Sequence, residues 1–246
     1  MKRTERHHLK ENELAHTLRR VTDVMTTRGR EIGYAIVGLL IIAVAVGGYF
    51  FWRGRTEAAA GALLAEALTI AEAPVAPPAA PPPPQPGATP PPPPPGSYPT
   101  EQAKLEAALP KFLDVVARYP STDAGLTAGY QAACTLAELG RTADARTKYQ
   151  EVIDRDSGGL YGQMARLGLA NLEVAGGQFD RAITIYKELT ADRDTRLPVD
   201  GILMQLGHAY ARAGKTSDAK QTYTRVIDEF PQSLYAPQAK QELSKL

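Results

Sequence analysis

One cysteine, Cys134, is all the thiol this 246-residue chain contains, and a single thiol excludes an internal disulfide. Histidine is also scarce, with only His7, His8, His16 and His208. No Cys/His cluster has metal-ligand spacing. His7 and His8 with His16 offer no clean i,i+4 pair, so that tail reads as solvated and not as a metal site. There is no GxSxG, no HExxH and no phosphate-gripping P-loop, and the carboxylates scatter at ordinary solvated positions. No catalytic residue, cofactor or metal is therefore expected. Net charge is missing as well, since 28 Lys and Arg meet 27 Asp and Glu. From Thr100 onward the tally is 18 against 19, with no basic stripe to neutralise phosphates, which argues against nucleic-acid binding.

Residues 32–52, IGYAIVGLLIIAVAVGGYFFW, lack any charge. As a helix this run is ~30 Å long, the thickness of a bilayer's hydrocarbon core. It exceeds a signal-peptide apolar region, and a 31-residue arm precedes it, so an uncleaved anchor is the expectation. Tyr49, Phe50, Phe51 and Trp52 crowd one end, where amphipathic rings settle among headgroups. The arm before it (1–31) is rich in Lys and Arg, which places the N-terminus in the cytoplasm and everything after Trp52 across the membrane. Within the arm, Leu14, Leu18, Val21 and Met25 fall at helical spacing. That stripe reads equally as a surface-lying or partner-docking face and as a plain juxtamembrane helix.

Residues 74–99 are mostly proline and alanine and bury no core. Fully extended, such a segment reaches ~80 Å. It reads as a disordered spacer or solvated loop in preference to a ligand for a proline-binding module.

The remaining chain is periodic. Gly140, Gly177 and Gly214 are 37 residues apart, as are Ala145, Ala182 and Ala219, and Tyr149, Tyr186 and Tyr223. Small residues recur with them at Ala133, Ala170 and Gly207. A fixed period in this range marks stacked supersecondary units. Each unit reads as an apolar helix, a glycine that stops it in a left-handed conformation, and a second helix with Ala and Tyr one turn apart. The alanine lets two helices approach closely, and the tyrosine fills the space beside it. Stacking then closes the core, which makes the fold an all-α, short α-solenoid of period 37 behind one N-terminal transmembrane helix.

The third unit, LGHAYARAGKTSDAKQTYTRVIDEFP (206–231), resembles a tetratricopeptide repeat. Leu206, Gly207, Tyr210, Gly214, Ala219, Tyr223 and Pro231 sit at that family's signature positions. The other copies are looser: Ala132, Ala133 and Leu136 stand in for Leu-Gly and Tyr, Glu173 replaces an apolar residue, and the family's Trp is absent. The family period is 34, so each turn between repeats is expected to be longer by about one helical turn.

One period upstream, Ala108 and Phe112 take the Ala and aromatic places, so 105–119 is the second helix of an earlier repeat. Its first helix is not where the period puts it. Residues 53–73 supply the available helical sequence, with Leu64, Leu68 and Ala71 on one face. Either 56–73 pairs with 105–119, which makes the prolines an extruded loop, or it prolongs the membrane helix. The domain from 100 to 246 ends in a capping helix from about Pro237.

In the tetratricopeptide family the first helices line a groove for a peptide or partner helix. The resemblance puts Tyr130 and Cys134, Leu167 and Asn171, and Met204 and His208 on the inward face. Tyr130, Asn171, Met204 and His208 are the candidate partner-binding residues, whereas Cys134 and Leu167 read at least as well as packing between repeats. The layout as a whole resembles the bacterial ancillary Sec-translocon subunit family, with a cytoplasmic arm, one anchor and a periplasmic repeat domain. That resemblance implies the inner membrane, and the translocon and periplasmic chaperones as partners. The alternative is a scaffold for cell-envelope or outer-membrane assembly, which FPQSLYAPQA (230–239) resembles.

Overall fold

A computed structural model describes the backbone of residues 3–76 and 96–246, with side chains described from Arg30 onward except at position 32. The arm's Leu14 to Met25 stripe and its three histidines lie outside the described side chains, and 77–95 of the proline-rich segment lie outside the described residues. Among the described residues the elements are all helical: α1 (Arg3–Ala71), α2 (Glu101–Arg118), α3 (Asp123–Glu138), α4 (Thr142–Arg155), α5 (Leu160–Ala175), α6 (Phe179–Ala191), α7 (Val199–Arg212), α8 (Thr216–Glu229) and α9 (Ala236–Lys245). Two compact units divide the chain, one up to Arg55 and one from Thr56 to Leu246.

In the first unit the apolar segment of α1 is long and apolar enough to cross a membrane, and none of it is buried. Leu39, Leu40, Ile41 and Ile42 point to successive sides and all are exposed, so no single face is hydrophobic. Tyr49 meets Phe50 edge-on at 5.7 Å.

The second unit begins inside α1. Ala60 and Ala67 are completely buried, and Leu63, Leu64, Leu68 and Ala71 pack against a core that includes Ala108, Leu109 and Phe112 of α2. Lys111 donates to Glu66 at 2.6 Å across the same pair. The Glu57 carboxylate accepts the backbone N–H groups of Asp123 at 3.1 Å and Ala124 at 2.9 Å. These are orphan donors of the first turn of α3, where a negative charge also meets the positive end of the helix dipole. The Thr122 hydroxyl accepts a third, from Gly125. Between α1 and α2, Ala76 donates to the carbonyl of Tyr98, and Tyr98 to that of Pro74, both at 3.0 Å. The two feet of the proline-rich segment are thus tied together.

The three helical hairpins that follow are built alike. Gly140, Gly177 and Gly214 take φ of 71°, 73° and 73°, the left-handed region that a Cβ disfavours. After each, the chain folds back with the same pair of bonds. Gly140 donates to Ala137 and Arg141 to Leu136; Gly177 to Val174 and Gln178 to Glu173; Gly214 to Ala211 and Lys215 to Tyr210. Ala145, Ala182 and Ala219 have no exposed surface, and Tyr149, Tyr186 and Tyr223 are buried beside them. Gly207 has no room for a Cβ, because the Tyr223 ring occupies that space.

The turns between repeats differ from expectation. Only the connector 192–198 is long; 119–122 and 156–159 are four-residue turns. In the short turns the helix start is pressed against the preceding backbone. A Cβ on Gly125 would strike the carbonyl of Tyr119, and one on Gly162 that of Asp156. One period later the chain has Val199, which the longer connector accommodates. That connector is pinned by Gln163, which is buried and accepts the backbone N–H of Arg196 at 2.8 Å. α9 closes the array with Ala236 and Ala239 buried and most of its other side chains in water.

Candidate partner-binding groove

Two successive first helices, α3 and α5, line a common recess. On α3 the lining residues are Tyr130, Cys134 and, at the end, Ala137 and Glu138. On α5 they are Met164, Leu167, Asn171 and Ala175. The recess, of about 550 Å3, lies between the two sets, with Tyr149 of α4 in its wall and Leu197 of the long connector at its margin. That volume is in the range of sites that hold compact ligands, ~300–1,000 Å3. The wall is aromatic, with the Tyr130 ring 6.3 Å from Tyr149 and 6.1 Å from Tyr161.

Each repeat tyrosine pairs with the first-helix residue fifteen positions before it. Tyr149 Oη donates to Cys134 Sγ at 3.4 Å, and Tyr186 Oη to Asn171 Oδ1 at 2.6 Å. Tyr223 Oη pairs with His208 Nδ1 at 3.1 Å. Cys134, Asn171 and His208 are thus equivalent positions, each orienting a tyrosine from the second helix. Burial pushes the phenols of Tyr130, Tyr149 and Tyr186 well above their ordinary range and Tyr223 up to about 12. Burial also raises the Cys134 thiol, against the pull of its hydrogen bonds from Tyr149 and Tyr130. A raised thiol holds less of the thiolate form, which fits a packing role.

Of the residues singled out from sequence, Tyr130, Cys134, Leu167 and Asn171 line one recess. Met204 does not belong with them. It is 3% exposed, in the core that α6, α7 and α8 share, onto which Leu197 and Val199 of the long connector region also pack. His208 is half-buried against the edge of Tyr223 and is not part of the recess. Sequence reasoning missed Met164, Glu138, Ala175 and Leu197. The first three continue the i, i+3, i+4 rows through Leu167 and Cys134, a pattern that was available. Leu197 comes from an irregular connector and had no periodic signal.

Glu173, the polar residue at an apolar position of the repeat, is buried and held from outside. Arg146 Nε and Nη2 donate to its two carboxylate oxygens at 2.8 and 3.1 Å. The fork satisfies a charge that would otherwise be costly to desolvate.

The family model for the tetratricopeptide repeat-like domain matches residues 28–245. No curated protein matches the chain. Among solved structures, a Podospora anserina protein described as a kinesin light chain with nearly identical TPR-like repeats aligns at 17% identity and a TM-score of 0.49, over 58% of this chain and 76% of that one. A tetratricopeptide repeat protein from Parabacteroides merdae aligns at 14% and 0.49, over 59% of this chain and 54% of its own, so the match spans about half of that protein's length. The protein MamA aligns at 17% and 0.46, over 55% of this chain and 74% of its own.

Proposed function

Because the chain belongs to the tetratricopeptide repeat-like domain family, whose members are in general protein–protein interaction modules, we propose that it is a membrane-anchored periplasmic adaptor that grips a protein partner in the recess between α3 and α5. The observation that carries this reading is the recess itself, a concavity with an aromatic and aliphatic lining between two successive first helices. Its partners on this proposal are the Sec translocon and periplasmic chaperones, and its role is the handoff of secreted proteins. The apolar segment of α1 anchors it in the inner membrane, with the Lys- and Arg-rich arm in the cytoplasm. The chain works by binding and performs no chemistry of its own.

The test is photocrosslinking in intact membranes from a probe placed at Leu167, followed by identification of the adducts. Translocon subunits or periplasmic chaperones are the expected products. Recovery of cell-wall or outer-membrane assembly factors alone would replace this role with an envelope scaffold, and absence of any Leu167 adduct alongside adducts elsewhere on the domain would remove the recess from the account.

A further inference from the structure

The recess has a chemical polarity. The last residue of α3 is Glu138 and the last of α5 is Ala175, and both sit in its lining. Two helix C-termini therefore meet at one end, each carrying a partial negative charge on its final carbonyls. Glu138 adds a full charge there, is exposed, and forms no ion pair among the described residues. Its field reaches inward to the Cys134 thiol and the Tyr149 phenol, contributing, after burial, to their raised values.

Among the described residues no Lys or Arg lines the recess to balance it. Away from that end the lining is Tyr130, Met164, Leu167 and Leu197. Two of the polar atoms nearby are already engaged, Tyr149 Oη on Cys134 and Asn171 Oδ1 on Tyr186, and neither Tyr130 nor Asn171 carries a charge to offer. An incoming carboxylate would find no cation and a negative end, whereas an apolar side chain would find matching surface.

We infer that the recess takes an apolar segment of a partner with a cation beside it, and holds the same segment less tightly when a carboxylate stands in the cation's place. The apolar side chains lie against Tyr130 and Leu167, and a Lys or Arg sits over Glu138 at the helix ends. This deepens the proposed adaptor role and rests on it, since it names the class of segment the same recess selects. Leu197, from the connector that Gln163 pins, bounds the recess and favours a short anchor over a long bound helix.

The experiment uses the full chain in nanodiscs, with empty nanodiscs as the blank. Two labelled twelve-residue peptides, acetylated and amidated to remove terminal charges, carry the same leucines and differ only in one flanking Lys or Glu. At low salt the Lys peptide should bind roughly two- to fivefold more tightly, as for an exposed ion pair, and the gap should close at high salt. Glu138→Lys, at an exposed helix end, should reverse the order without changing the melting temperature. Leu167→Glu should abolish binding of both peptides. Ala175→Trp, at an exposed position on the rim, should do so without disturbing the core. Equal binding of the two peptides that Ala175→Trp still blocks would overturn the charge preference and leave the adaptor reading intact. Binding that survives both blocking variants, or no binding of either peptide, would overturn the recess as the site and this inference with it.

Discussion

A tyrosine hydroxyl needs a partner when its ring is buried, and the three repeat tyrosines find theirs on the neighbouring helix in Cys134, Asn171 and His208. The period of 37 reveals the tyrosines but not these partners, because three different side chains fill one geometric role. Burial favours the neutral phenol, so the folded state holds its proton to higher pH than the unfolded chain does. For Tyr223 the folded value is about 12 against an ordinary value of 10.0. The stabilising contribution is complete below pH 10 and drains away as pH rises from there through 12. Chemical denaturation of the full chain at pH 9, 10, 11 and 12 should show stability falling over that window, and Tyr223→Phe should flatten the slope.

Glu173 depends in the same way on a residue distant in the chain. Its identity looks like an error in an apolar pattern until Arg146, 27 residues earlier, is seen to clasp it. Arg146→Ala strands a buried carboxylate and should cost about 2–3 kcal/mol, less than a fully enclosed pair because the arginine is partly exposed. The double variant Arg146→Ala, Glu173→Leu should recover most of that loss in melting temperature. If the double variant melts no higher than the single one, the buried charge is not what the arginine serves.

At the scale of elements, the glycines divide into kinds that the sequence does not distinguish. Gly140, Gly177 and Gly214 are required by a positive φ, and their spacing announced them. Gly162 is required by a close approach, since the turn 156–159 brings the Asp156 carbonyl onto the start of α5. Gly162→Ala should therefore destabilise the domain by ~2–3 kcal/mol, while Gly158→Ala, with open space around its Cβ, should stay within about 0.5 kcal/mol. The expected lengthening of every turn appears only at 192–198, and that one departure is what carries Leu197 to the recess margin and encloses the core around Met204.

The first hairpin makes its own prediction. Ala67 is fully buried in the core cluster that holds Leu109 and Phe112. Ala67→Leu should overpack it and lower the domain's melting point by the equivalent of ~1–3 kcal/mol. An unchanged melting curve would show that 56–71 merely prolongs the preceding helix. Glu57 could not have been read from the sequence as a cap of α3, because the two are 66 residues apart and the carboxylate resembles any other flanking charge.

For the whole molecule, the core is two successive clusters, one from the end of α1 to α5 and one from α5 to α9, as expected when each hairpin packs only on its neighbours. The helix that carries the apolar segment contributes to the first of these clusters from Leu63 onward. On the proposed topology, alkaline phosphatase fused after Leu246 is active in cells and a fluorescent protein fused there by the same export route stays dark. The reverse pattern would place the repeats in the cytoplasm and end the periplasmic reading.

The amino-acid order alone determined the repeat, its hairpin, its stopping glycines and the apolar span, because those depend on local geometry and on a periodicity that any copy displays. The resemblance to the tetratricopeptide family, carried by residues of that order, put Tyr130, Cys134, Leu167 and Asn171 on the inward face of two successive first helices. Tertiary structure alone decided that Met204 is core, that Glu173 is clasped, that Glu57 caps a distant helix, and that Glu138 stands at the negative end of a recess. These depend on which helix ends and connectors meet in space, and residues far apart in the chain are brought together there by packing that no single segment encodes.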